Sequence, residues 1–193
     1  MTRPWTLRLM ACLVAGCAAL TGCSEKQEAS QSLPSTSSAA PTEEQLPPLG
    51  PEDLPMPDEA RTQDAAGAEA FVRYYIELIN RTSTVMDAQP LRELSDGCRD
   101  CDRIADNTDA DAAAGYRYVS GELLIRAAGR ATVDGGEAQI AFTLDQKPLQ
   151  VVDAAGSVNT ELSTDAYSGL NGGAIARWDP ERETWLMTTL TLG

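Results

Sequence analysis

The chain has 193 residues, with 15 basic side chains against 29 acidic ones and no histidine, a formal charge of −14. Such a surface repels nucleic acid and anionic lipid headgroups, so neither is an expected partner. The missing histidine excludes Ser-His-Asp and Cys-His catalysis and removes the commonest general base and metal ligand.

Arg3 and Arg8 precede the apolar run "LMACLVAGCAAL" (9–20). Its dozen residues suit a signal-peptide core and fall short of the roughly 20 that a membrane-spanning helix needs. The run ends in "LTGC", and small residues before a cysteine are what lipoprotein processing requires. Residues 1–22 are therefore expected to be removed, leaving Cys23 as a diacylglyceryl anchor in the membrane. The second match, "VAGC" ending at Cys17, leaves too short an apolar core after Arg8. On this reading the rest of the chain lies on the extracytoplasmic face of the cell membrane. It keeps 13 basic and 29 acidic side chains, a charge of −16.

After Cys23, residues 24–56 hold six serines, six prolines and no aromatic residue. Such a composition buries too little apolar surface to offset chain entropy, and it predicts a disordered stalk over 23–56. From residue 57 the composition is that of one domain, 57–193.

In "DEARTQDAAGAEAFVRYYIELINRT", Ala68, Phe71, Val72, Tyr75, Ile76 and Ile79 recur at helical spacing, predicting a long helix from Pro57 to about Arg81. "DAQPLRELS" predicts a short helix capped by Asp87, with Pro90 in its first turn. "CDRIADNTDADAAAG" predicts a third, closed by Gly115. Beyond Gly115 the period changes to two. "YRYVSGELLIRAAGRATV" reads as one long or two short strands with bends at Gly121 and Gly129. "DGG" (134–136) is a hairpin turn, and "EAQIAFTL" places Ala138, Ile140, Phe142 and Leu144 on one face. "LQVV" and "SVNTELS" flank a turn at Gly156, and "DPERE" joins "AIARW" to "TWLMTTLTL". Two or three helices followed by five to six antiparallel strands make an α+β fold, helices packed on one face of a curved sheet.

"LTGC", the Ser/Pro stalk, "PMPDEARTQDAAGAEAFVRYYIELIN" and "LRELSDGCRDC" together resemble an uncharacterised family of actinobacterial lipoproteins over about residues 55–101. Helices ahead of a curved sheet also resemble the nuclear-transport-factor-2-like (cystatin-like) superfold. That resemblance implies a long first helix across a concave sheet with a conical pocket between them. It implies no particular activity, since the superfold carries isomerases, dehydratases and non-enzymatic modules alike.

The remaining question is the CxxC pair, Cys98 and Cys101. A redox motif would gain from a helix N-terminus, which stabilises a thiolate, but Asp96, Asp100 and Asp102 crowd the pair and oppose it. Zinc wants four Cys or His ligands, and only two thiolates are left once Cys23 is lipidated. An oxidising compartment pairs the two, so a Cys98–Cys101 disulfide is expected, stapling the second helix to the third. Asp102, Asp106 and Asp109 share a helical face, but the spacing lacks the glycine and bidentate glutamate of a calcium loop, so it reads as a solvated face. Asn80-Arg81-Thr82 matches a glycosylation acceptor by chance.

Aromatic residues are few and most are expected to fill the core. If a pocket exists, Tyr75, Tyr118, Phe142 and Trp178 are expected to line it. No cofactor or metal is expected. The functional expectation is an envelope lipoprotein with a binding or accessory domain for a protein, peptide or small apolar ligand. Two alternatives stand beside it: a histidine-free enzyme with a pocket of that superfold, and a thiol–disulfide oxidoreductase using the CxxC pair.

Overall fold

The computed structural model describes residues 47–193. The leader, Cys23 and the stalk up to residue 46 lie outside the described residues.

The long helix α1 spans Ala65–Val85, later than its sequence signals suggest. Asp58–Arg61 forms one 3-10 turn, and the backbone is extended at Thr62 before the helix starts afresh. The reason is tertiary. The Trp185 indole N–H donates to the Thr62 carbonyl at 2.9 Å, which takes that carbonyl out of any helical ladder. Asp64 then caps α1, its Oδ1 accepting the Gly67 N–H at 2.7 Å. Gly67 is required here, because a Cβ would sit 2.1 Å from the Thr62 carbonyl oxygen. The apolar stripe is buried as its spacing predicts, and Tyr74 and Leu78 are buried with it.

The second helix, α2 (Gln89–Glu93), has Ala88 at its N-cap position where Asp87 was expected, because Asp87 sits one residue too early, although its Oδ1 still accepts the Gln89 N–H at 3.2 Å. Helix α3 (Arg99–Ala113) begins at Cys98 and is closed by Gly115 in the left-handed region, φ +80°.

The strands are β1 (Arg117–Ser120), β2 (Leu123–Ala128), β3 (Thr132–Asp134), β4 (Glu137–Gln146), β5 (Leu149–Val152), β6 (Val158–Thr164), β7 (Tyr167–Asp179) and β8 (Thr184–Leu192). They form two antiparallel sheets where one was expected. A five-stranded sheet runs β2-β4-β7-β8 with β3 also on β4, and a three-stranded sheet runs β1-β5-β6. The division occurs at Ser120 and Gly121, both at positive φ (63° and 96°), which turn the chain out of line between β1 and β2. Gly121 then passes so close to Leu149 that a Cβ would lie 2.8 Å from its side chain. The alternation predicted for β4 holds, with Ala138, Ile140, Phe142 and Leu144 buried. Strand β7 extends well before its predicted start because 167–173 is glycine-rich and carries little strand signal.

Helices α1 and α3 pack on the five-stranded sheet. Phe71, Tyr75, Leu78, Leu144, Trp185, Met187 and Leu190 are fully buried between the layers. At the β8 edge, Met187 exchanges backbone hydrogen bonds with Leu94 and Asp96, both at 2.9 Å. Residues 47–56, stalk by composition, belong to the compact unit instead. Met56 is buried, Leu49 and Leu54 pack against the core, and the Met56 N–H donates to the Leu49 carbonyl at 2.8 Å.

A candidate binding cleft beside the third helix

The four aromatics do not converge on one pocket. Tyr75 is fully buried, and its hydroxyl donates to the Leu91 carbonyl at 3.2 Å. Burial pushes its pKa well up, so the phenol stays protonated. Phe142 is buried in the same core and Trp178 packs edge-on against Trp185, ring centroids 5.3 Å apart. Side chains therefore fill the centre between α1 and the sheet, and a cleft of about 230 Å³ remains at the edge, where Arg73, Ile76, Glu77 and Asn80 meet the start of β2. Tyr118 alone stands elsewhere, on the three-stranded sheet.

There it lines a cleft of about 300 Å³ between the C-terminal half of α3 and that sheet. Asn107, Ala110 and Asp111 come from the helix; Leu149, Val151 and Leu162 come from β5 and β6. The geometry follows from the local chain. Gly115 closes α3, the Tyr116 N–H donates to the Asp111 carbonyl at 2.9 Å, and β1 doubles back beneath the helix. Tyr118, seven residues after Asp111, thus places its hydroxyl 2.6 Å from Asp111 Oδ2, to which it donates. Burial, then the hydrogen bond to Asp111, pushes the Tyr118 pKa up, so it serves as a donor and not as a base. On β6, Ser163 Oγ donates to the Asn159 carbonyl at 2.6 Å and accepts the Val151 N–H at 3.0 Å, holding the irregular pairing that sets Leu162 at the cleft mouth.

Sequence reasoning found Tyr118 and missed Asp111, Leu149 and Leu162. One signal was available: an acid in the last turn of a helix, where a base is the usual choice, with no base there to offset it.

Cys98 and Cys101 are joined in a disulfide. Both are buried, at 0% and 1% exposure, and the Cys101 N–H donates to Cys98 Sγ at 3.2 Å. The bridge is thus built into the N-terminus of α3 and leaves no exposed sulfur for thiolate attack. Asp106 and Asp109 both lie 2.8 Å from Arg92 Nη2, so much of the acidic face of α3 closes on α2. Among the described residues no group of three or more His, Cys, Asp or Glu side chains is placed to hold a metal. Nor is any described helix long and apolar enough to cross a membrane.

The carboxylates whose ionisation is displaced all move downward. Glu122 is held low chiefly by a backbone N–H, Asp145 by the Gly169 N–H and then Arg126, and Asp179 by Arg182. These groups favour the charged form and suit ion pairing rather than general acid chemistry at neutral pH.

These features define a small α+β domain with helices packed on one antiparallel sheet and a second sheet to one side. The chain belongs to DUF6318, a family of unknown function, which it matches over residues 52–191. No curated protein matches it. Among solved structures it is similar to the intermembrane space region of chloroplast protein ARC6, at 20% identity and a TM-score of 0.49, over 67% of this chain and 95% of that one. It is also similar to a variant of Rd1NTF2_05, at 10% identity and a TM-score of 0.36, over 65% of this chain and 99% of that one.

Proposed function

We propose that this protein is a cell-envelope lipoprotein. Its diacylglyceryl group on Cys23 anchors it to the extracytoplasmic face of the membrane, and its domain serves as a binding or accessory module. The observation that carries the module reading is where the open space lies. Phe71, Tyr75, Leu78 and Trp185 fill the centre between helix and sheet with no exposure, while clefts open at the surface, the one beside α3 among them. Leu162, at the cleft, remains 40% exposed, and Val119 and Val158, on the other face of the three-stranded sheet, remain 47% and 50% exposed.

The way the chain enters the domain favours the same reading. Pro47 is held at the N-terminal end of α1 by Arg61, whereas the cleft is built on β1, whose end leads into Leu123 beside the C-terminal part of α1. Helix α1 is about 30 Å long. Pro47 and the cleft thus lie toward opposite ends of α1. The buried Cys98–Cys101 bridge, at 0% and 1% exposure, speaks against the alternative of a thiol oxidoreductase.

The anchor is tested by Cys23→Ala with fractionation of cells and medium. The substituted protein is expected in the medium or unprocessed in the membrane. Normal processing with normal membrane retention would refute the anchor.

A further inference from the structure

We propose that the cleft beside α3 takes a small organic cation, an apolar chain or ring ending in a primary ammonium group. This rests on reading the cleft as a binding site.

Three observations on different parts of the cleft agree. One wall is apolar, built from Leu149, Val151, Leu162, Ala110 and the Tyr118 ring, and the other carries the polar groups of Asn107 and Asp111. Its one charged lining group is the Asp111 carboxylate, and neither Lys nor Arg lines it. Tyr118 is the one side-chain donor to Asp111 among the described residues, binding Oδ2 and leaving Oδ1 for a ligand. Asp111 also stands in the last turn of α3, where the helix dipole already contributes partial negative charge. A carboxylate is poorly placed there unless a cation meets it, and the fold supplies only a neutral phenol.

The neighbouring acids confirm the contrast. Asp106 and Asp109, five and two residues earlier on the same helix, are both matched by Arg92. Among the described residues Arg92 thus neutralises two acids on the α2 side, while no basic side chain lines the cleft beside Asp111. A net charge of −14 adds long-range attraction for a cation. A volume of about 300 Å³ lies at the small end of ligand pockets, which selects a single short chain or ring.

The test uses the full chain carrying Cys23→Ala and three probes of one shape: 4-phenylbutylamine, 4-phenylbutanol and 4-phenylbutyrate. Amide and side-chain NMR shifts of Tyr118, Leu149 and Leu162 report binding. The amine is expected to bind at least about tenfold more tightly than the alcohol, as roughly one charge-assisted contact implies. Asp111→Asn should remove that advantage while leaving alcohol binding unchanged. Leu162→Lys, at the exposed mouth, should weaken the amine selectively and guards against a folding defect in the first variant. Equal binding of amine and alcohol, or tighter binding of the butyrate, overturns the cation assignment and leaves the cleft as a binding site. If none of the three probes shifts these residues, both readings fall.

Discussion

The side-chain amide of Asn80 takes up both backbone groups of Leu123. Its Nδ2–H donates to the Leu123 carbonyl at 2.9 Å, and its Oδ1 accepts the Leu123 N–H at 2.8 Å. An asparagine on α1 thereby completes the start of β2 as a neighbouring strand would, and sets the sliding register of helix on sheet. Asn80→Ala leaves a backbone donor and acceptor without partners in a partly buried place. It should cost about 1–3 kcal/mol. Asn80→Asp should cost at least as much, because a carboxylate oxygen would face the Leu123 carbonyl. Denaturant unfolding measures both, and a loss under 0.5 kcal/mol (about the size of an ordinary surface change) would mean that the pair contributes nothing.

Arg61 holds the first described segment in place without any carboxylate. Its guanidinium donates to the carbonyls of Pro47 at 2.6 Å, Arg182 at 2.8 Å and Glu183 at 3.3 Å. Arg61→Met keeps the stem and loses the donors, and is expected to cost about 2 kcal/mol. Hydrogen exchange at the Met56 amide should speed up in step. Unchanged exchange there would show that the segment holds by apolar packing alone.

Gly172 faces Phe142 across β7 and β4, and a Cβ at 172 would lie 2.2 Å from the ring. Gly172→Ala should therefore destabilise the domain by about 1–3 kcal/mol through overpacking. Combining it with Phe142→Leu should give less than the sum of the two single losses. Additive losses would place the strain elsewhere.

The Cys98–Cys101 bridge closes a very short loop, so the chain-entropy estimate assigns it about 2 kcal/mol. Cys98→Ala with Cys101→Ala should lower the unfolding free energy by that much and fray α3 first, read from exchange at the first-turn amides of the helix. Equal protection of those amides in both proteins would rule out a capping role.

Tyr74, Tyr75 and Tyr118 all have raised pKa values, mainly through burial; Tyr74 is pushed up to about 12. Each phenol holds its proton more tightly folded than unfolded, where it titrates near 10. Stability is thus intact below pH 10 and falls as pH rises from there toward the folded values. Absorbance at 295 nm should show these phenolates appearing together with loss of near-ultraviolet circular dichroism. Their ionisation while that signal stays native would contradict the burial.

Much of the local structure was legible in the residues themselves. The apolar spacing of α1, Asp87 ahead of α2, Gly115 after α3 and the alternation of β4 each depend on neighbours within a few positions, where steric and hydrogen-bonding rules act directly. The cysteine pair was legible for the same reason, its partners lying three residues apart. The rest depends on groups distant in sequence. Trp185 decides where α1 begins by taking the carbonyl of Thr62, 123 residues away. Arg61 recruits residues that composition alone assigns to the stalk, using carbonyls beyond residue 180. The division into two sheets follows from β1 pairing with β5 while β2 pairs with β4, and the filled centre from aromatic side chains of α1, β4 and β8 meeting in one layer. The cleft is of this second kind. Asp111 and Tyr118 are near in sequence, but Leu149, Val151 and Leu162 enclose them only because β5 and β6 return to β1, a pairing that no local pattern specifies.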